Sequence, residues 1–103
     1  MGRKLDKTGR SELHYASNEG NSGKVCVLIS EGVDVNLKDR NGWTPLHLAA
    51  QSKSVKTASR LIEHGAEIDA RDNDGNTPLF RAVYCYTNDG KMIELLRKYG
   101  ADP

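Results

Sequence analysis

The sequence has little of what membrane proteins, secreted proteins and nucleic-acid-binding domains usually contain. Its longest apolar run covers residues 25–29, far short of the roughly 20 residues that a membrane-spanning helix needs. The basic N-terminal stretch is followed by no apolar segment, so we expect no secretory signal. Lys and Arg number 15 against 14 Asp and Glu, and this balance leaves no broad basic field for nucleic acid. We therefore expect a cytoplasmic protein that binds neither membranes nor nucleic acid.

Catalytic and metal-binding motifs are also scarce. The two cysteines, Cys26 and Cys85, match no metal or redox spacing, and in a reducing compartment both thiols should stay free. The sequence contains no glycine-rich phosphate loop, nucleophile elbow or H-E-x-x-H motif. Its many aspartates recur at turn positions, where an Asp side chain accepts hydrogen bonds from its own backbone. We predict no catalytic residues, no cofactor and no metal, and hence no enzyme.

An internal repeat dominates what the sequence does contain. The segments SELHYAS, TPLHLAA and TPLFRAV begin at residues 11, 44 and 77, so their starts lie 33 residues apart. A D-x-x-G turn precedes each segment, and glycines at positions 32, 65 and 100 follow the later apolar stretches. The last unit is two residues longer, which predicts an extended loop around residues 88–90. The chain thus forms one domain, 1–103, of three units at about 6–38, 39–71 and 72–103.

Each unit carries the signals of two helices. Thr44 and Thr77 can cap a first helix, and the proline after each is preset for the first helical turn. Apolar residues at helical spacing in unit two, such as Val55, Leu61 and Ile62, predict a second helix with one buried face. The alanines at the end of the first helix would let the second approach closely.

The period of 33 residues and the motif T-P-L-H-x-A resemble the ankyrin repeat, and the resemblance covers nearly the whole chain. It implies an all-α solenoid of about three helix-turn-helix units, with short β-hairpin or turn fingers projecting beside them. It also implies that His14 and His47, which occupy equivalent positions, form hydrogen bonds between repeats instead of binding a metal. The alternative, a two-histidine metal site, lacks nearby cysteine or carboxylate partners.

Three positions depart from the repeat. Phe80 takes the place of the repeated histidine, and Arg97 stands where the earlier units have an apolar residue. We interpret Arg97 as an adaptation of a terminal unit, although the last residues resemble the phrase that leads into a further repeat, so a longer parent protein is the alternative. Lys53 occupies the position of Gly20, where a left-handed backbone would cost of order 1 kcal/mol. That turn is expected to differ in shape.

The resemblance implies a non-catalytic recognition module, expected to be a monomer, whose partner is another protein. In the family, the concave surface of fingers and first helices makes the contacts. Trp43 is the leading candidate because large aromatic residues dominate binding hot spots; the alternative is that its ring packs across the finger onto the neighbouring unit. The full set of predicted partner-binding residues is Arg10, Lys38, Arg40, Asn41, Trp43, Arg71, Asn73, Asp74, Asn76, Tyr84 and Tyr86.

Finer functional predictions rest on resemblance to compact bacterial ankyrin proteins, some of which neutralise a toxin encoded beside them. This implies an inhibitor or immunity protein with one cognate partner. One alternative is a scaffolding fragment of a longer ankyrin array. Another is a self-associating structural protein, or a weak dimer, in which the ends of the stack meet and bury Leu79, Ile93 and Leu96.

Overall fold

The computed structural model describes residues 9–84 and 90–100, and within these ranges the chain forms six helices and no strand. The helices are α1 (Glu12–Glu19), α2 (Ser22–Ser30), α3 (Pro45–Gln51), α4 (Val55–Glu63), α5 (Pro78–Tyr84) and α6 (Lys91–Lys98). The predicted all-α fold is confirmed. The described fingers take the form of turns closed by backbone hydrogen bonds, without a β-hairpin ladder.

The helices form three pairs that stack side by side. The first helix of each pair lies against the next first helix, α1 on α3 and α3 on α5. The second helices follow the same order, with α2 on α4 and α4 on α6. A unit of this size cannot bury its apolar face without a neighbour, so the stack itself supplies the core.

The core runs between the two layers of helices. Ala49 and Ala50 are fully buried at the end of α3, which confirms that small residues there let α4 approach closely. The second helices contribute Val25, Leu61 and Leu96, all fully buried. Across the stack, the buried apolar cluster comprises Leu13, Ala16, Val25, Leu28, Leu46, Ala49, Ala50, Ala58, Leu61, Leu79, Ala82, Met92 and Leu96.

The first helices begin at the predicted caps. The Thr44 side chain accepts a hydrogen bond from the backbone N–H of His47, and Pro45 starts α3. Ser11 caps α1 in the same way, and the Thr77 hydroxyl accepts from the backbone N–H of Phe80. Six residues separate α5 from α6, compared with three between α3 and α4, so the extra length of unit three lies in this connection, as predicted.

The turn at Lys53 keeps the shape of its counterpart, contrary to expectation. Lys53 has φ 62° and Gly20 has φ 73°, so both adopt the left-handed conformation. The backbone N–H groups of Lys53 and Ser54 donate to the last carbonyl groups of α3. These bonds and the packing of α4 on α3 outweigh the unfavourable conformation of a residue with a side chain.

Replacing Lys53 with glycine is expected to raise the free energy of unfolding by about 0.5 to 1 kcal/mol, because glycine adopts this conformation without steric cost. Urea unfolding followed by circular dichroism measures the change. Lys53→Ala is the matched control: it removes the same long side chain but keeps the Cβ atom. Equal stability of the two variants would show that the left-handed backbone is not strained.

Candidate functional site

A buried aspartate organises each described finger turn. The Asp39 Oδ1 atom accepts hydrogen bonds from the backbone N–H groups of Asn41 at 2.8 Å and Trp43 at 2.9 Å. The Asp39 N–H donates in turn to the Trp43 carbonyl at 2.9 Å. Asp72 forms the same bonds with the residues two and four positions after it. The aspartates of the repeated D-x-x-G turns therefore cap their own backbone, as the sequence predicted.

The remaining oxygen of each aspartate pairs with an arginine. Arg10 Nε lies 3.1 Å from Asp39 Oδ2, and the Arg81 guanidinium lies 3.3 Å from Asp72 Oδ2. Burial acts to raise the pKa of Asp72, but hydrogen bonds from two backbone N–H groups and from Arg81 outweigh it, so the pKa lies below its ordinary value. Both aspartates stay ionised at neutral pH, and the two arginine charges are balanced within the protein.

Trp43 lies at the centre of contacts from all three units. The Arg81 guanidinium of unit three stacks over its ring, 4.2 Å from the ring centroid, and that of Arg10 from unit one lies at 5.8 Å. The His47 ring stacks at 6.3 Å between centroids. The Trp43 side chain therefore packs onto neighbouring units, the alternative that the sequence left open. Its part in partner binding stays a prediction, and Trp43→Ala would change stability as well as any binding.

The two repeated histidines connect adjacent units. His47 Nδ1 accepts the backbone N–H of Thr44 at 3.1 Å, and its Nε2–H donates to the carbonyl of Asn76 in the next finger at 2.9 Å. His14 makes the same pair of bonds and reaches the Trp43 carbonyl at 2.9 Å. A backbone donor at Nδ1 and a carbonyl at Nε2 require the neutral Nε2–H tautomer. This confirms the hydrogen bonds between repeats and fixes the base of each finger.

The surroundings of both histidines oppose protonation. Burial lowers the pKa of His14 and His47 below 6.5, more strongly than the carbonyl hydrogen bonds and the nearby aspartates raise it. A second ring proton would also point at the N–H of the capping residue, which is itself a donor. The imidazole must lose its bond to the cap when it becomes charged.

Stability is therefore expected to depend on pH in the range where free histidine titrates. The unfolded chain binds protons with a pKa near 6.5, above that of the folded chain, so stability is fully present above about pH 6.5 and declines as pH falls below it. Urea unfolding at several pH values between about 7.5 and 5 measures this decline. In the double variant His14→Gln, His47→Gln the curve should flatten over this interval. A wild-type curve as flat as that of the variant would contradict the neutral assignment.

Further hydrogen bonds hold the two described fingers side by side. The Asn73 backbone N–H donates to the Asn41 carbonyl at 2.9 Å, and the Asn73 side-chain amide donates to the Arg40 carbonyl at 2.7 Å. Lys38 Nζ donates to the carbonyl of Arg71 at 3.2 Å. Because these bonds join backbone to backbone, the spacing between the fingers is set before any partner arrives.

The structure separates the predicted site residues into three groups. Six are exposed on the two fingers and are called here the finger surface: Lys38, Arg40, Asn41, Arg71, Asn73 and Asp74. Arg10, Trp43 and Asn76 are half-buried and support the fingers. Tyr84 ends α5, but its side chain and the whole of Tyr86 lie outside the described residues. Sequence reasoning missed Arg81, although aligning the units places it 33 residues after the buried Leu48.

Two searches of the described residues bear on other kinds of site. No three His, Cys, Asp or Glu side chains there come together in a group that could hold a metal ion. None of the described helices has the length and apolar character needed to cross a membrane.

The fold and the repeated turn geometry agree with comparison to known families. A family model described as ankyrin repeats, in three copies, matches residues 6–103. The chain therefore belongs to the ankyrin repeat family, whose members are generally protein-interaction modules that do not catalyse reactions. A search of curated proteins found no match.

Proposed function

We propose that this chain is a non-catalytic module that binds another protein through the finger surface and the adjoining first helices. The observation that carries the proposal is the set of bonds from Asn73 and Lys38, which fixes the two fingers at one spacing. Side chains held on a rigid frame lose little conformational entropy on binding, so their contacts contribute more to affinity.

The charges of the finger surface indicate the chemistry of the partner. Lys38, Arg40 and Arg71 are exposed, while Asp74 is the one exposed acidic residue among the finger-surface side chains. Arg10 and Arg81 add little because each is paired with a buried aspartate. An excess of positive charge favours a partner with an acidic patch opposite the fingers, and like charges in the wrong partner would oppose binding.

Affinity capture from the source organism's lysate tests the proposal. The probe is wild-type protein beside two variants of equal charge change. Lys38→Glu, Arg40→Glu reverses two charges on the finger surface, whereas Lys24→Glu, Lys56→Glu reverses two exposed charges on the outer helices α2 and α4. Circular dichroism checks that all three proteins are folded.

The finger variant should recover about tenfold less of a protein that wild type and the helix variant both capture, because it turns attraction into repulsion at two positions. Equal loss in both variants would point to net charge instead of the finger surface. Loss only in the helix variant would place the contact on α2 and α4 and contradict the proposal.

Inhibition of a cognate toxin is the finer function that the bacterial resemblance favours, and the captured protein decides it. Under this proposal the interaction takes place in the cytoplasm, a monomer captures one protein tightly, and the activity of that protein falls when the complex forms. Capture of several proteins with weaker affinity would favour a scaffolding role instead. End-to-end self-association has less support, since Leu96 and Leu79 are buried within the stack.

A further inference from the structure

A second surface lies at the far end of the stack, on the third unit. Leu79, Phe80, Val83 and Ile93 line a groove of about 520 Å³ together with polar residues that include Arg97. Phe80 is 41% and Val83 60% exposed, although both belong to a first helix. The groove volume falls within the usual range for binding pockets, roughly 300 to 1,000 Å³, and it suits one or two large side chains.

Three residues of this groove differ from their counterparts in the earlier units. Val83 corresponds to Ala50, a small residue buried by the next pair of helices. Phe80 replaces the histidine that donates a hydrogen bond to the following finger. Arg97 takes the place of Ile62, which packs against the core. A further unit of the same kind would meet a bulkier side chain and a charge here, and it would find no histidine donor for its finger.

The charge of the groove points to the chemistry of its occupant. Arg71 and Arg97 contribute two guanidinium groups, and Asp69 is the one acidic residue in the lining. Asp69 already has an interaction within the chain. We propose that this groove docks a short segment of a partner protein that carries an aliphatic or aromatic side chain next to a carboxylate. The apolar side chain would cover Val83 and Ile93, and the carboxylate would pair with Arg97. The proposal goes beyond the finger surface and does not rest on it.

Selection from a random peptide library displayed on phage tests this proposal with the protein as it is. Peptides selected on wild type should share an aliphatic or aromatic residue beside Asp or Glu. A synthetic peptide of the selected sequence should bind about tenfold more weakly to Arg97→Glu, since attraction becomes repulsion, and also to Val83→Asp. Changing the acidic residue of the peptide to lysine should restore binding to Arg97→Glu. Lys56→Glu, on exposed α4 surface, is the control with equal charge change.

The proposal is overturned if no peptide is enriched, if the enriched peptides lack an acidic residue, or if both groove variants bind as wild type does. Sedimentation at increasing concentration examines a second copy as the occupant. Self-association that Val83→Asp abolishes would replace the partner segment by another copy of this chain. Because none of these variants alters Lys38 or Arg40, their outcome is independent of the finger-surface experiment.

Discussion

Leu61→Ala is expected to lower the free energy of unfolding by roughly 2 to 5 kcal/mol. Leu61 is fully buried on α4, and α4 lies between α2 and α6. Its side chain therefore cannot be replaced by the collapse of one neighbour, and the substitution leaves a cavity. A three-unit stack has few interfaces, so this loss is a large share of a total stability of about 5 to 15 kcal/mol. Urea unfolding followed by circular dichroism measures it.

Val27→Ala is the matched control for this prediction. Val27 also lies on a second helix but is 55% exposed, so its truncation should change stability by no more than about 0.5 kcal/mol. An unfolding midpoint for Leu61→Ala close to that of the Val27 variant would contradict the assignment of α4 to the centre of the core.

Gly42→Ala is expected to destabilise the protein by at least about 2 kcal/mol, from two separate causes. Gly42 has φ +79°, a conformation that costs roughly 1 to 2 kcal/mol for a residue with a Cβ atom. The added Cβ would also lie 2.7 Å from the backbone nitrogen of Asn73 and 3.0 Å from the Cα atom of Asp72. These are backbone atoms, so the fingers would have to separate, at a further cost of about 1 to 3 kcal/mol.

Gly75→Ala separates the two causes. Gly75 has φ +82°, but its added Cβ would have no atom of the described chain within 4 Å. It should therefore show only the conformational cost, about 1 kcal/mol or more below that of Gly42→Ala. Thermal or urea unfolding of the two variants gives the difference. Equal destabilisation would mean that the fingers are not in close contact, and the fixed spacing on which the proposed function depends would be lost.

Much of the fold could be predicted because its signals are local. Thr44 and Pro45 mark the start of α3 by a side-chain cap and a fixed φ angle, whatever surrounds them. The apolar spacing of Leu61 and its neighbours identifies the buried face of α4. Gly65 ends the same unit with a positive φ, which the residue type itself favours.

The turn at Lys53 shows where local reasoning fails. Residue type argued against a left-handed backbone there, but the packing of α4 on α3 imposes it. The energy of that packing is distributed over many side chains, none of them adjacent to Lys53 in the turn. A cost of order 1 kcal/mol at one residue is small beside it.

The candidate site could be predicted in position but not in the role of each residue. The register of the repeats placed the fingers correctly, and Asp39 and Asp72 behave as turn residues should. The surroundings of Trp43 depend on which side chain of the next unit points back at it, and a guanidinium there is seen only once α5 is stacked on α3. The same holds for Asn73, whose amide ties two fingers together instead of standing free in solvent.

Site-specific photo-crosslinking in cells tests the central claim most directly, because it detects contact without depending on a change in affinity. A photoreactive phenylalanine analogue is placed at Asn41 or Asp74 on the finger surface, and at Val27 on α2 as the control; all three side chains are exposed. The account predicts one common protein adduct from positions 41 and 74 and none from position 27. An adduct from position 27 with none from the fingers would contradict it.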